Sequence, residues 1–365
     1  MFARTRSAPP GKARESGIKQ RLDGARPGAI FCGIPGWIVL LAVLTAPACS
    51  APGEPEPEVF AGPIPHRSMM PLSLIFPGPL PDDARVLERA ENRLSWNTSY
   101  ASILVKEQKA GELISVDGEF LRTSLLWERG VGSRVQVGLE IPFLYYMSGF
   151  LDAFVENFHD FFGFPQGDRD KYPRNHFDAT YQQNNRTFFE SSEDKFGLAD
   201  IPLYCKVGLV DPEEGGFGLA ARGLLELPAG SEDKGFGSGK LDGGAGLLAQ
   251  AAFTPSLAAY LNVDHTWRSD PDAFRGVEAA NVTHGSLALE KALSPVFSLV
   301  AQTDYQTRPL TGADLHEFKR PKWNASLGFG WRTGRDTMLK FYFTEGITTH
   351  TTADFAVGLS LGTRF

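Results

Sequence analysis

The chain has 365 residues, a formal net charge of -7, and 39 glycines and 27 phenylalanines. The acidic balance excludes a general nucleic-acid-binding protein, whose footprint is a basic patch. After the N-terminal signal, every segment falls short of the roughly 18 uncharged apolar residues that a membrane-spanning helix needs, which excludes a helical membrane protein.

Residues 1–48 are predicted to be a secretion signal. A basic region precedes an apolar core at residues 37–44, and residues 46–48 (Ala-Pro-Ala) form a small-x-small cleavage site. Cys49 directly follows this site, which raises the alternative of a lipoprotein anchored at Cys49. The residues before Cys49 depart from the lipoprotein pattern, so both interpretations stay open.

Residues 49–91 are predicted to be a Pro-rich periplasmic tether with a short helix. Prolines interleaved with glutamates exclude a helix or a ladder strand over residues 51–81. The short helix is expected at residues 82–91, capped by Asp82 or Asp83. The apolar residues 72–76 are a candidate for docking against the mouth of the β-barrel that residues 92–365 are predicted to form.

Residues 92–365 alternate between apolar and polar side chains in about twelve segments. This pattern predicts an all-β membrane protein, a closed antiparallel transmembrane β-barrel of about 12 strands. Residues 322–332 are the clearest example, with Trp323, Leu327 and Trp331 on one face. Trp323 and Trp331 are eight residues apart and span roughly 20 Å in a tilted strand, close to the height of an outer-membrane apolar band.

The opposite parity collects charges of both signs, which must be hydrated or paired because unpaired buried ions are costly. A polar lumen meets this requirement. The predicted lumen-lining residues are Arg122, Arg134, Glu140, Lys206, Arg222, Glu226, Asp242, Asp264, Asp304, Lys340 and Arg364. One strand departs from the pattern, because Asp117 and Glu119 share the outward parity of Trp127. Either its upper part stands beyond the membrane or a bulge shifts the phase.

Tight turns alternate with longer connections along the predicted barrel. Short turns at residues 130–133 and 254–256 contrast with longer connections at residues 230–239 and 310–319. Short periplasmic turns and longer external loops are the outer-membrane arrangement, and an even strand count places both termini in the periplasm.

The last strand, residues 354–365, alternates strictly and stops on an apolar residue, Phe365. It resembles the closing strand of bacterial outer-membrane β-barrels. The resemblance implies that Phe365 is part of the signal read by the barrel-assembly machinery. It also implies an integral outer-membrane location, in contact with outer-membrane lipid and lipopolysaccharide.

A long external loop, residues 148–196, begins with a segment of helical periodicity at residues 149–163. Asp152, Glu156 and His159 are spaced at i, i+4 and i+7, so they can project from one face of this amphipathic helix. Two carboxylates and an imidazole could bind a transition metal or perform acid–base chemistry. The alternative is a solvated polar face. No fourth ligand can be assigned, so the metal stays unknown and no cofactor is predicted.

The same loop carries a Gly-Phe-Leu-Asp…Glu…Phe-His…Phe-Gly pattern after a strand that ends in Glu140-Ile141-Pro142-Phe143. This combination resembles an uncharacterised family of bacterial outer-membrane β-barrel proteins, a domain of unknown function. The resemblance extends from about Leu94 to Phe365. It implies the location and the fold, and it supplies no reaction.

The leading functional hypothesis is passive passage of a small solute through a narrow polar lumen. The alternative is a non-conducting barrel with a structural or surface-contact role. A less favoured alternative is an outer-membrane lipid hydrolase. His284 and Ser286 share the lumen parity of one strand, but a two-residue spacing is too long for direct contact between nucleophile and base. No catalytic residue is therefore predicted.

Overall fold

The computed structural model of the protein describes residues 60–365 apart from 110, 164–170, 213–215, 273–277 and 349–350. The predicted signal and Cys49 lie outside the described residues. The strands are β1 Asn92–Lys109, β2 Glu112–Gly130, β3 Val135–Met147, β4 Asp178–Gln183, β5 Arg186–Ser191, β6 Lys195–Leu198, β7 Ile201–Val210, β8 Phe217–Leu227, β9 Asp242–Thr254, β10 Leu257–Trp267, β11 Glu278–Ala279, β12 Val282–Ser294, β13 Phe297–Gln306, β14 Leu310–Thr311, β15 Lys322–Arg332, β16 Thr337–Gly346 and β17 Phe355–Arg364. The helices are α1 Pro71–Leu74, α2 Asp152–Phe162 and α3 His316–Lys319.

Twelve of these strands form a closed antiparallel barrel, which confirms the predicted fold class. Their order around the wall is β1, β2, β3, β7, β8, β9, β10, β12, β13, β15, β16 and β17. The barrel closes where β17 pairs with β1, from Arg364 opposite Arg93 to Phe355 opposite Ser102. Closure satisfies the backbone polar groups of both terminal strands, which a bilayer requires.

Side-chain exposure follows the alternation read from the sequence. In β15, Trp323, Leu327 and Trp331 are 44–48% exposed, whereas Lys322 and Ser326 are buried. All five tryptophans of the described barrel are exposed on the outer surface: Trp96, Trp127, Trp267, Trp323 and Trp331. Large apolar side chains on the outside and polar ones inside are the reverse of a water-soluble barrel and suit a lipid surround.

The two ends of the barrel differ in the length of their connections. At the turn end, which also holds residue 92 and Phe365, short turns such as residues 255–256 and 295–296 join the strands. At the loop end, residues 148–194 and 307–321 form much longer connections. None of the described helices has both the length and the apolarity that a bilayer-spanning helix requires.

The β1–β2 hairpin rises above the rest of the wall at the loop end. Its ladder runs in register from Asn92 to Lys109, and the upper part of β2, residues 112–117, pairs with β4 instead of β3. There Asp117 lies 3.3 Å from the Lys106 ammonium, and Glu119 accepts a 2.8 Å hydrogen bond from the Phe150 amide. The unusual parity of these two carboxylates thus reflects a projecting hairpin, with no bulge in its ladder.

Residues 60–91, called here the internal segment, run through the barrel interior. Ala61 lies beside Gly330 near the turn end, α1 lies at the loop end, and Leu87 is bonded to Gln136 back at the turn end. The structure therefore differs from the expected tether, and its short helix is α1 instead of residues 82–91. Apolar side chains along the segment, such as Met69 and Phe76, are buried, which gives the Pro-rich chain a reason to enter the barrel.

Candidate functional site in the barrel interior

Two side-chain amides of the wall each bind the backbone N–H and C=O groups of one residue of the internal segment. Gln302 accepts a 2.8 Å hydrogen bond from the Ile64 amide and donates a 3.0 Å bond to the Ile64 carbonyl. Asn262 does the same for Asp82, at 2.8 and 2.9 Å. An amide side chain can both donate and accept a hydrogen bond, so each one satisfies the backbone groups that a neighbouring strand would otherwise satisfy.

Glu290 fixes the beginning of the segment. Its carboxylate accepts hydrogen bonds from the amides of Ala61 and Gly62, at 2.6 and 3.0 Å. The hydroxyls of Tyr260 and Ser298 donate to the same carboxylate, at 2.8 and 2.6 Å. Four donors compensate for the burial of this charge, as a buried carboxylate requires.

Cationic side chains of the wall bind carbonyl oxygens of the segment. Lys340 donates to Pro63 at 2.8 Å, Arg222 to Leu80 at 2.6 Å and Arg268 to Pro77 at 3.3 Å. Lys206 donates to the Asp83 carbonyl at 3.3 Å and also pairs with the Asp82 carboxylate at 2.7 Å. These contacts involve three residues of the predicted lumen set: Lys206, Arg222 and Lys340.

Ion pairs also join side chains of the wall itself, and two of them consist of predicted lumen residues. Arg122 on β2 and Glu140 on the adjacent β3 are both buried and 2.7 Å apart. Arg222 on β8 and Asp264 on β10 are 2.8 Å apart although β9 lies between them. Gly246 stands opposite both residues, and a Cβ atom there would lie 2.0 Å from the Asp264 carboxylate. Glycine at this position leaves the space through which the ion pair forms.

The other predicted lumen residues differ in how far they are buried. Glu226 and Asp242 are buried, and Asp242 accepts hydrogen bonds from Ser269 and Ser238. Asp304 accepts a 3.0 Å bond from Gln302. Arg364 is half-buried beside the turn-end cavity. Arg134 differs from the prediction, because it lies in the exposed turn before β3 although its parity matches the inner face.

The sequence reading missed five amide and carboxylate side chains that bind the segment backbone: Gln136, Gln250, Asn262, Glu290 and Gln302. All five have inward parity, so the alternation contained a signal. They were overlooked because four of them are uncharged, and the search for lumen residues followed charge.

Three of the cavities lined by described residues lie beside the internal segment. A polar cavity of about 170 Å³ at the turn end is lined by Asp82, Arg93, Lys206 and Lys340. A small one of about 40 Å³ lies between the segment and the wall near His284. The third, of about 350 Å³, lies at the loop end, and its lining is mostly apolar. The interior is thus polar towards the turn end and apolar towards the loop end.

The proposed loop cluster on α2 is engaged with its own loop. Asp152 accepts a 2.7 Å hydrogen bond from the Asn175 amide, and Glu156 forms an ion pair with Arg174. The side chain of His159 lies outside the described residues. Among the described side chains, no group of three or more His, Cys, Asp or Glu residues is arranged to hold a metal ion.

The candidate hydrolase residues are not arranged as a nucleophile and its base. The His284 ring contacts the Thr266 hydroxyl at 3.4 Å. His265 lies on the outer face, hydrogen-bonded to Thr283 at 3.0 Å and packed against Trp267. His284 and His265 thus both contact threonine hydroxyls instead of an activated serine.

The closed barrel, its apolar outer belt and its polar interior define an integral outer-membrane β-barrel protein. The family model "Protein of unknown function (DUF3187)" matches residues 39–365. The chain therefore belongs to this family, which agrees with the resemblance to an uncharacterised outer-membrane family. No curated protein matches the sequence.

Solved outer-membrane channels and porins are among the structures that resemble this chain. The COG4313 outer membrane channel from Pseudomonas putida F1 superposes with a TM-score of 0.52 at 14% identity, over 78% of this chain and 99% of that one. The NanC porin gives a TM-score of 0.41 at 10% identity, over 74% and 98% of the two chains. The KdgM porin gives 0.40 at 6% identity, over 75% and 99%. At 14% identity, the likeness to the P. putida channel shows the fold alone.

Proposed function

We propose that the protein is a passive outer-membrane channel for a small solute, closed by its internal segment until that segment moves. One observation carries the proposal: the segment is fastened to the wall by side chains such as Gln302 and Asn262, whereas the wall is held by its own backbone ladders. The segment can therefore leave while the barrel stays closed on itself. The P. putida protein of the same fold is described as a channel, which supports this proposal.

The orientation that accompanies this proposal has the turn end, and hence both chain ends, in the periplasm. The long connections then face outward, where the exposed Phe150, just before α2, and Phe161, within α2, would meet lipopolysaccharide. Phe365 is 68% exposed at the turn end, accessible to the barrel-assembly machinery. The signal at residues 1–48 remains part of the same proposal, with lipidation of Cys49 as the alternative that the sequence leaves open.

A non-conducting structural barrel is the second candidate, and the filled lumen favours it. Conductance across planar bilayers separates the two functions. The full chain is compared with a chain lacking residues 60–87, after the shift in gel mobility on heating has established that both barrels are folded. We expect brief or small currents from the full chain and a steady current from the deletion. Silence from both folded proteins would support the structural role.

A further inference from the structure

The loop-end cavity of about 350 Å³ is built from three parts of the chain. The wall contributes Ile114, Val116, Phe120 and Tyr146, α3 contributes Phe318, and the internal segment contributes Met70. Its volume falls in the range of small-molecule sites, and a largely apolar lining with few polar groups is their usual composition.

Two polar atoms in this lining are buried without a hydrogen-bond partner among the described residues. The Tyr181 side chain is 5% exposed and its hydroxyl makes no such bond. Glu317 is 1% exposed; one of its oxygens binds the Lys322 ammonium and the other, Oε2, binds nothing. Buried polar groups are nearly always satisfied in proteins, so two unsatisfied groups at one cavity indicate a ligand.

We propose that this cavity binds a small, largely apolar molecule that carries one hydroxyl group. A hydroxyl group can both accept and donate a hydrogen bond, which matches the chemistry of the two unpartnered atoms, the Tyr181 hydroxyl as donor and Glu317 Oε2 as acceptor. Three further carboxylates, Glu190, Glu232 and Asp233, line the same cavity. They disfavour an anionic ligand by charge repulsion, which selects a neutral molecule.

The floor of the cavity is the internal segment itself, through Pro71, Leu72 and Ile75. An occupant therefore touches the part of the chain that closes the lumen. The inference that this molecule is the solute of the channel rests on the proposed function. The inference that the cavity binds the molecule does not, because the cavity exists in the closed barrel.

The test uses 1-naphthol, naphthalene and 1-naphthoate as probes of equal ring size. Binding to the full chain in lipid nanodiscs is measured by titration calorimetry, with empty nanodiscs subtracted. We expect saturable binding of 1-naphthol at one site, weaker binding of naphthalene and the weakest binding of 1-naphthoate. Tyr181→Phe removes one hydrogen bond and is expected to weaken 1-naphthol binding about three- to tenfold, with little effect on naphthalene.

Ala179→Trp fills the cavity and is expected to abolish binding of all three probes. Leu261→Trp, on the exposed outer face, is the matched control and is expected to bind like the parent. Absence of saturable 1-naphthol binding, or equal affinity in the parent and in Tyr181→Phe, overturns the proposal. Because the readout is binding in the closed barrel, its failure is distinct from a failure to conduct.

Discussion

The guanidinium of Arg222 donates a 2.6 Å hydrogen bond to the carbonyl oxygen of Leu80, 142 residues earlier in the chain. The same guanidinium binds Asp264 through two further bonds, at 3.1 and 2.8 Å. One wall residue thus completes an ion pair of the barrel and fastens the segment that closes it. The strength of the closure is therefore adjustable from the wall.

A substitution at Gly330 can displace the internal segment without changing a charged residue. A Cβ atom at Gly330 would lie 2.3 Å from the Cβ of Ala61, so Gly330→Leu must push the start of the internal segment away from β15. We expect single-channel recordings in planar bilayers to show a higher open fraction for this variant than for the parent.

Gly223→Leu is the matched control for Gly330→Leu. Gly223 lies on the outward parity of β8, and the nearest atom to an added Cβ is a backbone oxygen at 4.0 Å. The same residue change is therefore expected to leave the open fraction unaltered. If both variants behaved like the parent, the internal segment would not be the barrier to conduction.

We expect the contributions of Arg222 and Asp264 to the free energy of unfolding to be strongly coupled. Arg222→Met leaves a buried carboxylate unpaired, which is expected to lower the free energy of unfolding by about 3–5 kcal/mol. Arg222→Met combined with Asp264→Leu removes both charges and is expected to cost less than the sum of the two single changes. Urea unfolding in lipid vesicles measures the cycle. Additive effects would show that the pair is not coupled in the folded barrel.

The wall could be predicted from the sequence because its physical constraint is periodic and local. Each residue of a strand such as β15 faces either lipid or the interior, so a period of two appears directly in the sequence. The predicted segment, residues 322–332, coincides with β15. Arg134 shows the limit of the rule, since it lies in the turn before β3 and parity has no meaning outside a strand.

The internal segment could not be predicted in this way because its backbone bonds are non-local and non-periodic. The amide of Ile64 is bonded to Gln302, 238 residues away, and no spacing within residues 60–91 signals that partner. Within the described residues 60–81, the prolines correctly excluded a ladder strand, but the exclusion of a helix was wrong because α1 begins at Pro71. An extended chain outside the barrel and one inside it have the same local sequence. The apolar run at residues 72–76 was the available hint.

A charged residue on the outer face is expected to destabilise the barrel by an amount that depends on its depth in the membrane. Leu327 lies midway between Trp323 and Trp331 and is 48% exposed, so Leu327→Arg places a cation near the bilayer midplane. Such a change is expected to destabilise the barrel by about 2–4 kcal/mol. Leu94→Arg, near the turn end, is the control and is expected to cost at most about 1 kcal/mol because it lies near the interface. Equal costs in vesicle unfolding experiments would contradict the placement of the membrane.

Glu317 on α3, outside the spanning strands, gives the loop end a pH dependence. Burial raises the pKa of this carboxyl from 4.5 to about 7, and the adjacent Lys322 ammonium opposes the rise without cancelling it. Because the pKa is higher in the folded loop than in the opened one, the stabilisation is complete below pH 4.5 and is lost as the pH rises towards 7. The full effect is on the order of 3 kcal/mol.

Hydrogen exchange of the α3 amides, corrected for the intrinsic rate, measures this opening between pH 5 and 8. The Phe318 and Lys319 amides are suitable reporters because both donate to the Leu315 carbonyl. We expect their opening free energy to fall with rising pH in the parent and to change much less in Glu317→Gln. His316→Asn removes the contact of α3 with Glu107 and is expected to retain the slope. If the slope persisted in Glu317→Gln, the pH dependence would not come from the buried Glu317 carboxyl.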